Sequence, residues 1–382
     1  MKKVDAVVIG GGPAGSTAAF VLARAGASVV VIDAALFPRD KLCGGLLSRR
    51  TEKTYSRIFR TPWDSVIECT SRGAAFFDGH RLVQSVEHTQ PIHFTSRTEF
   101  DAHLLSLASK AGAVIQEGRR VLSVNRDDSS VQLVGSETIE ADFIIGCDGV
   151  TSRVAQSIKL PPLTRSGLAV GMELHLPRAA FHRQPEKPEI YFRVARWGYG
   201  WLFPKRDCLT IGLAGLVEKN SNLKDRFIDF VKELNRGELP AVPWKGHPIP
   251  FGNHRSRPGR NNILLAGDAA GLVEPVTGEG IAFAIESGGC AAKAVLAAAS
   301  LGDPSSALSL YSRQYAGITT QFRHARMMRR LVFPAVTQPI FLRVLARSRS
   351  VASRYLDLLA GEIDYETYAR FLIKVLIRRL LV

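Results

Sequence analysis

A glycine-rich segment near the start of the chain has the residue types that a dinucleotide pyrophosphate requires. The segment reads Gly10-Gly11-Gly12-Pro13-Ala14-Gly15. Gly10 allows a tight turn, Gly12 lets the backbone approach the phosphates, and Gly15 lets a helix pack closely on a strand. The segment opens that helix, so the pyrophosphate is expected at the positive end of the helix dipole.

An acidic residue, Asp33, follows the glycine segment at the spacing of a ribose-binding carboxylate. The β-branched runs at 4–9 and 27–33 predict two buried strands, with a small-residue helix over 16–25 between them. Asp33 stands 18 residues after Gly15, where a carboxylate accepts hydrogen bonds from the adenosine ribose 2′-OH. Because a carboxylate at this position disfavours a 2′-phosphate, we do not expect NADPH in this site.

A Gly-Asp motif more than 200 residues later favours FAD over NAD as the cofactor. It ends a predicted strand within Ile263-Leu264-Leu265-Ala266-Gly267-Asp268-Ala269-Ala270-Gly271. FAD carries a ribityl chain, and Asp268 is suited to bind its hydroxyls. A helix predicted over 280–299 follows, and its positive end can stabilise negative charge on a reduced flavin. The residues expected at the flavin are Gly267, Asp268, Gly278, Gly280 and Ile281.

Three further sites are expected near the cofactor. Asp148 and Gly149 end another buried strand, and this pair resembles the Asp-Gly turn of flavin hydroxylases; an ordinary turn is the alternative. Arg97 opens a helix predicted over 98–112 and resembles an arginine near the cofactor of those proteins; a surface arginine is the alternative. Val121 is the third residue position expected near the cofactor. Together the motifs resemble p-hydroxybenzoate-hydroxylase-like flavoproteins over 1–155 and 255–300.

Two more motifs are similar to the geranylgeranyl reductase family, flavoenzymes that saturate double bonds of isoprenoid chains. The motifs are Pro38-Arg39-Asp40-Lys41-Leu42-Cys43-Gly44-Gly45 and Tyr199-Gly200-Trp201-Leu202-Phe203-Pro204-Lys205. Gly278-Glu279-Gly280 and the segment 358–365 also agree with that family, so the resemblance spans nearly the whole chain. It implies hydride transfer from N5 of reduced FAD to a C=C bond of a polyprenyl, geranylgeranyl-type chain. NADPH or a reduced carrier such as ferredoxin is the expected electron donor.

The resemblance also assigns roles within these two motifs. It places Cys43 near the reacting carbon as a catalytic residue, with an ordered water as the alternative proton donor and inert packing as the alternative role. It places Arg39, Cys43, Gly44 and Gly45 against FAD. Tyr199, Trp201 and Phe203 alternate along a strand and therefore face one side of it. They are expected to line a slot for a long hydrocarbon, and plain core is the alternative.

These motifs predict an α/β fold with an α+β insert. A Rossmann-type FAD-binding domain takes residues 1–160 and 255–300, and part of 45–95 is assigned to the substrate layer. Frequent Pro, Gly and aromatic residues predict an inserted antiparallel β-sheet substrate domain over 161–254. A helical C-terminal region over 301–382, broken near Pro334 and Pro339, completes the chain.

The net charge of +15 is uneven. From Arg313 onward there are twelve Arg and one Lys against four acidic residues, a net charge of +9. Leu, Val and Phe interleave with these charges, which favours peripheral contact with an anionic membrane over nucleic acid; a solvated basic helix face is the alternative. We expect no signal peptide and no membrane span, hence cytoplasmic residence with peripheral contact at the inner face of the membrane.

Three rival functions use the same FAD frame. An aromatic or quinone monooxygenase commonly has His after Gly-Asp-Ala, where this chain has Ala270. A halogenase is expected to carry WxWxIP, of which residues 197–204 are a distorted version. An electron-transfer flavoprotein of the better-known form needs an iron–sulfur cluster. The five scattered cysteines contain no CxxC pair and predict neither that cluster nor a metal site.

Overall fold

The computed structural model describes the backbone of residues 3–380 and the side chains of residues 3–375. The strands in this part of the chain are β1 Lys3–Ile9, β2 Val29–Ile32, β3 Leu46–Leu47, β4 Cys69–Asp78, β5 Arg81–Phe94, β6 Val114–Gln116, β7 Val121–Asn125, β8 Ser130–Leu133, β9 Thr138–Gly146, β10 Ala169–Pro177, β11 Glu189–Phe192, β12 Gly198–Pro204, β13 Cys208–Leu216, β14 Trp244–Ile249, β15 Gly259–Arg260 and β16 Ile263–Leu265. The α-helices are α1 Pro13–Arg24, α2 Arg49–Phe59, α3 Arg97–Lys110, α4 Arg153–Ser157, α5 Leu223–Leu234, α6 Ile281–Ser300, α7 Ala307–Val332, α8 Gln338–Arg347, α9 Arg349–Leu359 and α10 Tyr365–Leu380.

The first sheet is a parallel layer with strand order β15-β16-β9-β1-β2-β6. Strands β16, β9, β1, β2 and β6 are parallel neighbours, and β7 and β8 form a hairpin beside β9. Its strands are buried β-branched runs, as parallel layers covered on both faces require. Because the carboxyl ends of parallel strands meet at one edge, the segments that follow β1, β2, β9 and β16 come together there.

Helices α1, α3 and α6 pack beside one another on this sheet. By length and composition α6 is apolar enough to cross a membrane, but it is mostly buried against α1, α2 and α7. Its apolar character therefore belongs to the interior of the protein. The described chain contains no other helix that passes the same test.

The second sheet has strand order β14-β10-β13-β12-β11-β4-β5-β3. Its neighbours are antiparallel except for β11 and β4, which pair in parallel. Strands β3 to β5 come from residues 46–94, so the early part of the chain joins this layer. One face packs on α5 through Phe227, Phe230 and Val231, and the other face turns toward the first sheet.

The C-terminal helices complete the fold. Helix α7 packs on α6, while α8 and α9 pack on β5. Helix α7 ends at Val332. Pro339 lies in the first turn of α8, where the backbone N–H that proline lacks would have no partner within the helix. The prediction of an α/β fold with a parallel FAD-binding sheet, a largely antiparallel second sheet and C-terminal helices is confirmed.

Candidate active site

A cavity of about 760 Å³ lies between the two sheets and is closed on one side by α9. Its polar part is formed by the segments that follow β1, β2, β9 and β16, and its apolar part by the second sheet and α9. Every residue that the sequence predicted for this site lines the cavity except Gly15. Those residues are Gly10, Gly12, Pro13, Ala14, Asp33, Arg39, Cys43, Gly44, Gly45, Arg97, Val121, Asp148, Gly149, Tyr199, Trp201, Phe203, Gly267, Asp268, Gly278, Gly280 and Ile281.

The glycine loop forms a close-fitting cradle at the end of β1. Gly10 has a φ of +104°, and a Cβ at this position would lie 2.3 Å from the carbonyl oxygen of Cys147. Gly15 lies behind the loop, where a Cβ would lie 1.8 Å from the Gly10 carbonyl oxygen. Gly12 caps α1, whose first turn has no acidic side chain. The free amides of this helix end therefore face the cavity, as phosphate binding requires.

Asp33 braces the glycine loop while it faces the cavity. Its Oδ2 accepts a hydrogen bond of 2.7 Å from the Gly11 amide, and its Oδ1 accepts one of 2.8 Å from the Ala35 amide. Each carboxylate oxygen has a second lone pair, so the side chain can also accept from a ribose hydroxyl. This bracing role within the chain was not expected from the sequence.

Arg97 and Arg39 share one buried carboxylate. Asp101 is fully buried and accepts two hydrogen bonds of 2.7 Å from Arg97, which precedes it by one helical turn. Arg39 contacts the same carboxylate at 3.0 Å, stacks on Phe37 and lies beside Gly12. The carboxylate therefore joins α3 to the 38–45 loop beside the glycine cradle.

The 38–45 loop brings Cys43 against the aromatic strand. A Cβ on Gly44 would lie 2.8 Å from the ring of Phe203, so only glycine allows this approach. Gly45 has a φ of +72°, and a Cβ added to it would lie still closer to its neighbour, 2.1 Å from the Thr95 carbonyl oxygen. The Cys43 sulfur accepts from the Gly45 amide at 3.4 Å and lies within hydrogen-bonding reach of the Arg97 guanidinium.

Tyr199, Trp201 and Phe203 form a continuous aromatic strip on β12. Neighbouring ring centres lie 6.1 Å and 6.2 Å apart, and the Trp201 indole donates to Glu173 at 3.3 Å. The Tyr199 hydroxyl donates to the Thr277 carbonyl oxygen, next to Gly278. Burial, with Glu274 adding to it, raises the pKa of Tyr199, so this phenol stays protonated.

Lys41 and His247 form a polar contact across the cavity that the sequence did not predict. The Lys41 ammonium donates to Nε2 of His247, which lies 206 residues away on β14. Burial lowers the pKa of Lys41 to about 8, while Asp268 acts in the opposite direction. Burial and the Lys41 charge lower the pKa of His247 to about 4, so the imidazole is neutral at pH 7. Lys41 lies within a motif that the sequence singled out, whereas His247 carried no signal.

The acidic residues at the strand ends have unused hydrogen-bonding capacity. Asp148 Oδ2 accepts from the Arg153 and Val154 amides at 2.6 Å and 3.1 Å, but Oδ1 is buried without a partner among the described residues. Burial raises the pKa of Asp148. Burial also raises the pKa of Asp268, although the positive charge of Lys41 acts in the opposite direction. A bound molecule with hydroxyl groups would satisfy these oxygens, as a ribityl chain does.

A polar network supports the start of α6. Glu279 accepts hydrogen bonds from Ser48 and Thr51, and Glu274 accepts one of 2.5 Å from the Tyr365 hydroxyl. Burial raises the pKa of Glu279. Tyr365 ends the C-terminal motif at 358–365, so that motif reaches the loop before α6. The sequence did not predict the hydrogen bond between Tyr365 and Glu274.

An aromatic cluster contributes to the apolar lining of the cavity. Phe76 stacks on Phe192 at 6.4 Å between ring centres, and Tyr355 from α9 meets Phe76 edge-on at 5.9 Å. All three line the cavity, and none was predicted, because they come from β4, β11 and α9.

Within the described part of the chain, no group of three or more His, Cys, Asp or Glu side chains is placed to hold a metal ion.

The glycine cradle, the strand-end carboxylates and the apolar extension define an FAD-dependent oxidoreductase. A family model described as an FAD binding domain matches residues 3–172. The chain is 31% identical to a menaquinone reductase of Mycolicibacterium smegmatis, over 96% of this chain and 95% of that protein. It is 30% identical to the geranylgeranyl diphosphate reductase of Rhodobacter capsulatus, over 79% and 77% of the two chains.

The fold agrees with these relatives. The crystal structure of a geranylgeranyl bacteriochlorophyll reductase-like protein from Thermoplasma acidophilum superposes with a TM-score of 0.77 at 22% identity, over 96% of this chain and 93% of that one. The chain belongs to the geranylgeranyl reductase family of FAD-dependent oxidoreductases, which also includes menaquinone reductases. The predicted family, enzyme class and cofactor are thereby confirmed.

Proposed function

We propose that this enzyme reduces carbon–carbon double bonds of a polyprenyl chain of the geranylgeranyl type. The observation that carries the proposal is the apolar lining of the cavity, which includes Phe76, Phe192 and Tyr355 as well as the Cys43 loop. A cavity that joins a dinucleotide cradle to an aromatic-walled slot suits a long hydrocarbon. The relatives that carry reductase names act on geranylgeranyl diphosphate or on menaquinone, and both molecules contain such a chain.

Reduced FAD, when bound, supplies the hydride that adds to one carbon of the double bond. An isolated alkene has no carbonyl group to polarise it, so the site must deliver a proton to the other carbon and keep water away. The Cys43 thiol is the proposed donor, with an ordered water as the alternative. Arg97 stabilises the negative charge left on sulfur, and the thiolate regains its proton from solvent before the next turnover.

The decisive experiment is an anaerobic single turnover. The protein is loaded with FAD, reduced with dithionite and mixed with geranylgeranyl diphosphate or menaquinone while flavin absorbance is followed. Reoxidation without oxygen, with a product heavier by two hydrogen atoms, supports the proposal. A flavin that stays reduced until oxygen is admitted favours the monooxygenase, and a dependence on halide favours the halogenase. Electron loss to a quinone whose prenyl chain is unchanged favours an electron carrier.

The role of Cys43 is tested by Cys43→Ala. Because general acid catalysis contributes about 100-fold or more, we predict at least this loss in the rate of flavin reoxidation by substrate. The FAD spectrum should persist, because the glycine cradle is untouched. Cys69→Ala is the matched control, since Cys69 donates to the Pro204 carbonyl oxygen and does not line the cavity. An unchanged rate in Cys43→Ala would assign the proton to an ordered water.

The electron donor in this proposal is NADPH or a reduced carrier such as ferredoxin. NADPH would bind transiently, because Asp33 and the glycine loop are taken by FAD. Mixing the oxidised enzyme anaerobically with each donor and following flavin bleaching distinguishes the two. Bleaching by neither donor would show that a different carrier is required.

A further inference from the structure

Residues 304–356 carry nine arginines and no Asp or Glu. This segment forms all of α7, all of α8 and most of α9. A surface helix in water normally mixes charges of both signs, so a run of 53 residues without a carboxylate is unusual. The large positive charge of the C-terminal region is therefore concentrated on particular helices.

Three of the exposed arginines of this segment share a helix face with exposed apolar side chains. Arg323, Met327 and Arg330 stand at i, i+4 and i+7 on α7, and all are exposed. The opposite face of α7, with Phe322, Ala325 and Val332, is buried.

The same arrangement continues beyond α7. Val336, in the connector to α8, is 83% exposed, and Ile340 and Arg343 stand one turn apart on the outer face of α8. We call Arg323, Met327, Arg330, Val336, Ile340 and Arg343 the docking face.

No carboxylate of the described chain pairs with the arginines of the docking face. Their charge is therefore available to an outside anion. Arginines that flank exposed Met, Val and Ile are the composition of a helix that lies in the headgroup region of an anionic bilayer. A nucleic acid would use the charges but would leave the apolar side chains in water.

The docking face is connected to the wall of the cavity. From the adjoining face of α7, Arg326 donates to the Gly252 carbonyl oxygen at 2.9 Å, and Arg329 donates to that of Phe251 at 3.0 Å. Phe251 lines the cavity, as does Tyr355 on α9. An apolar substrate dissolved in a bilayer would therefore lie on the side of the molecule where these helices close the apolar part of the cavity.

The geometry points to the docking face as a binding surface for anionic phospholipid bilayers. The test is sedimentation of the FAD-loaded full chain with vesicles of phosphatidylglycerol and phosphatidylcholine, and with vesicles of phosphatidylcholine alone. We expect binding to the anionic vesicles that weakens as salt rises. Failure to bind anionic vesicles at low salt would overturn the inference, and because no turnover is measured, it would leave the proposed reaction untouched.

Two triple variants and two matched controls locate the surface. Arg323→Gln/Arg330→Gln/Arg343→Gln should bind anionic vesicles roughly 100-fold more weakly, at the usual contribution of each basic residue. Lys110→Gln/Lys219→Gln/Lys232→Gln removes the same charge from exposed positions elsewhere and should change binding less than 5-fold. Met327→Ser/Val336→Ser/Ile340→Ser should weaken binding, and Leu82→Ser/Val134→Ser/Leu239→Ser should not. Equal loss in a variant and its control would overturn the inference.

A single substitution gives a readout that does not depend on the triple variants folding. Val336 is 83% exposed, so Val336→Trp adds a reporter without disturbing the core. Its fluorescence should be quenched by lipids brominated in the acyl chain, whereas that of Leu82→Trp should not. A Val336→Trp signal that responds to duplex DNA and not to lipid would assign the face to nucleic acid and overturn the inference.

Discussion

Asp101 is the residue on which the two arginines of the cofactor site depend. It is fully buried, and it accepts from both Arg97 and Arg39. Removing one partner of a buried ion pair costs about 3–5 kcal/mol, because the other charge is left without an anion. We predict that Asp101→Asn lowers the free energy of unfolding by about that amount, measured by urea unfolding of the FAD-loaded protein, and weakens FAD binding in a titration.

The matched control is an exposed ion pair on the first sheet. Lys3 contacts Asp142 at 2.8 Å, and their side chains are 63% and 41% exposed. Asp142→Asn should leave the free energy of unfolding nearly unchanged, because solvent screens such a pair. If the two substitutions cost the same, the burial of Asp101 would not be the source of its effect.

Individual residues of the site show what could be predicted about it from the sequence. Gly10, Asp33 and Asp268 were predicted because each belongs to a local pattern whose chemistry is decided by a few neighbours. The contact of His247 with Lys41 joins residues 206 positions apart and depends on how the second sheet packs on the first. A local pattern contains no information about such a contact, so sequence reasoning missed it.

Helices α1 and α6 cross at a glycine, and the crossing sets the position of the glycine cradle. A Cβ on Gly288 would lie 2.1 Å from the carbonyl oxygen of Ala14, which lines the cavity. We predict that Gly288→Ala costs about 1–3 kcal/mol of stability, as overpacking does, and weakens FAD binding because α1 must move. Urea unfolding and FAD titration measure both effects.

Gly317 on α7 is the control for this prediction. It is exposed in the middle of a helix, and a Cβ there would meet nothing within 4 Å. Gly317→Ala should therefore stabilise the protein by about 0.5–1 kcal/mol through helix propensity. If Gly288→Ala also stabilised the protein, the crossing of α1 and α6 would have space for the added methyl group.

The elements themselves were predictable where hydrophobic periodicity is strong. The runs around β1, α1, α3 and α6 gave correct elements to within a few residues, and so did the break after α7 near Pro334. The parallel pairing of β11 with β4 was not predicted, because it joins residues more than 100 positions apart. Strand pairing of this kind is decided by tertiary packing and not by local composition.

The attachment of α7 to the rest of the molecule should depend on pH. His254 Nδ1 accepts from Arg326 at 2.9 Å, and burial together with the charge of Arg326 lowers the pKa of His254 to about 4. The unfolded chain gains a proton near pH 6.5 and the folded protein only near pH 4, so stability falls as the pH drops between these values.

We predict that this histidine costs the protein about 1–2 kcal/mol of stability between pH 7 and pH 4.5, after allowance for its partial exposure. His254→Asn keeps an acceptor for Arg326 and removes the titration. Chemical unfolding of both proteins at both pH values measures the difference. If the two lose the same stability, His254 does not control the acid response.

The cavity connects parts of the chain that fold into different layers, so cofactor binding should stabilise the whole molecule. Its lining runs from Ile9 on β1 to Leu359 on α9 and includes strands of both sheets. FAD binds the folded protein and not the unfolded chain, which at a free concentration 100 times the Kd stabilises it by about 2.7 kcal/mol. We predict a higher Tm with FAD and slower amide hydrogen exchange in β12 and α9 as well as in α1.

Gly10→Ala tests whether this stabilisation comes from the cradle. The added Cβ would lie 2.3 Å from the Cys147 carbonyl oxygen in a backbone conformation with a φ of +104°, so the loop must move and the pyrophosphate site is lost. FAD should then change neither the Tm nor the exchange rates of this variant.

If FAD slows exchange in wild-type α1 and leaves β12 and α9 unchanged, the two sheets open independently around the cavity. Slowing in all three elements would mean that the cofactor holds the layers together, because each layer contributes one wall of its site.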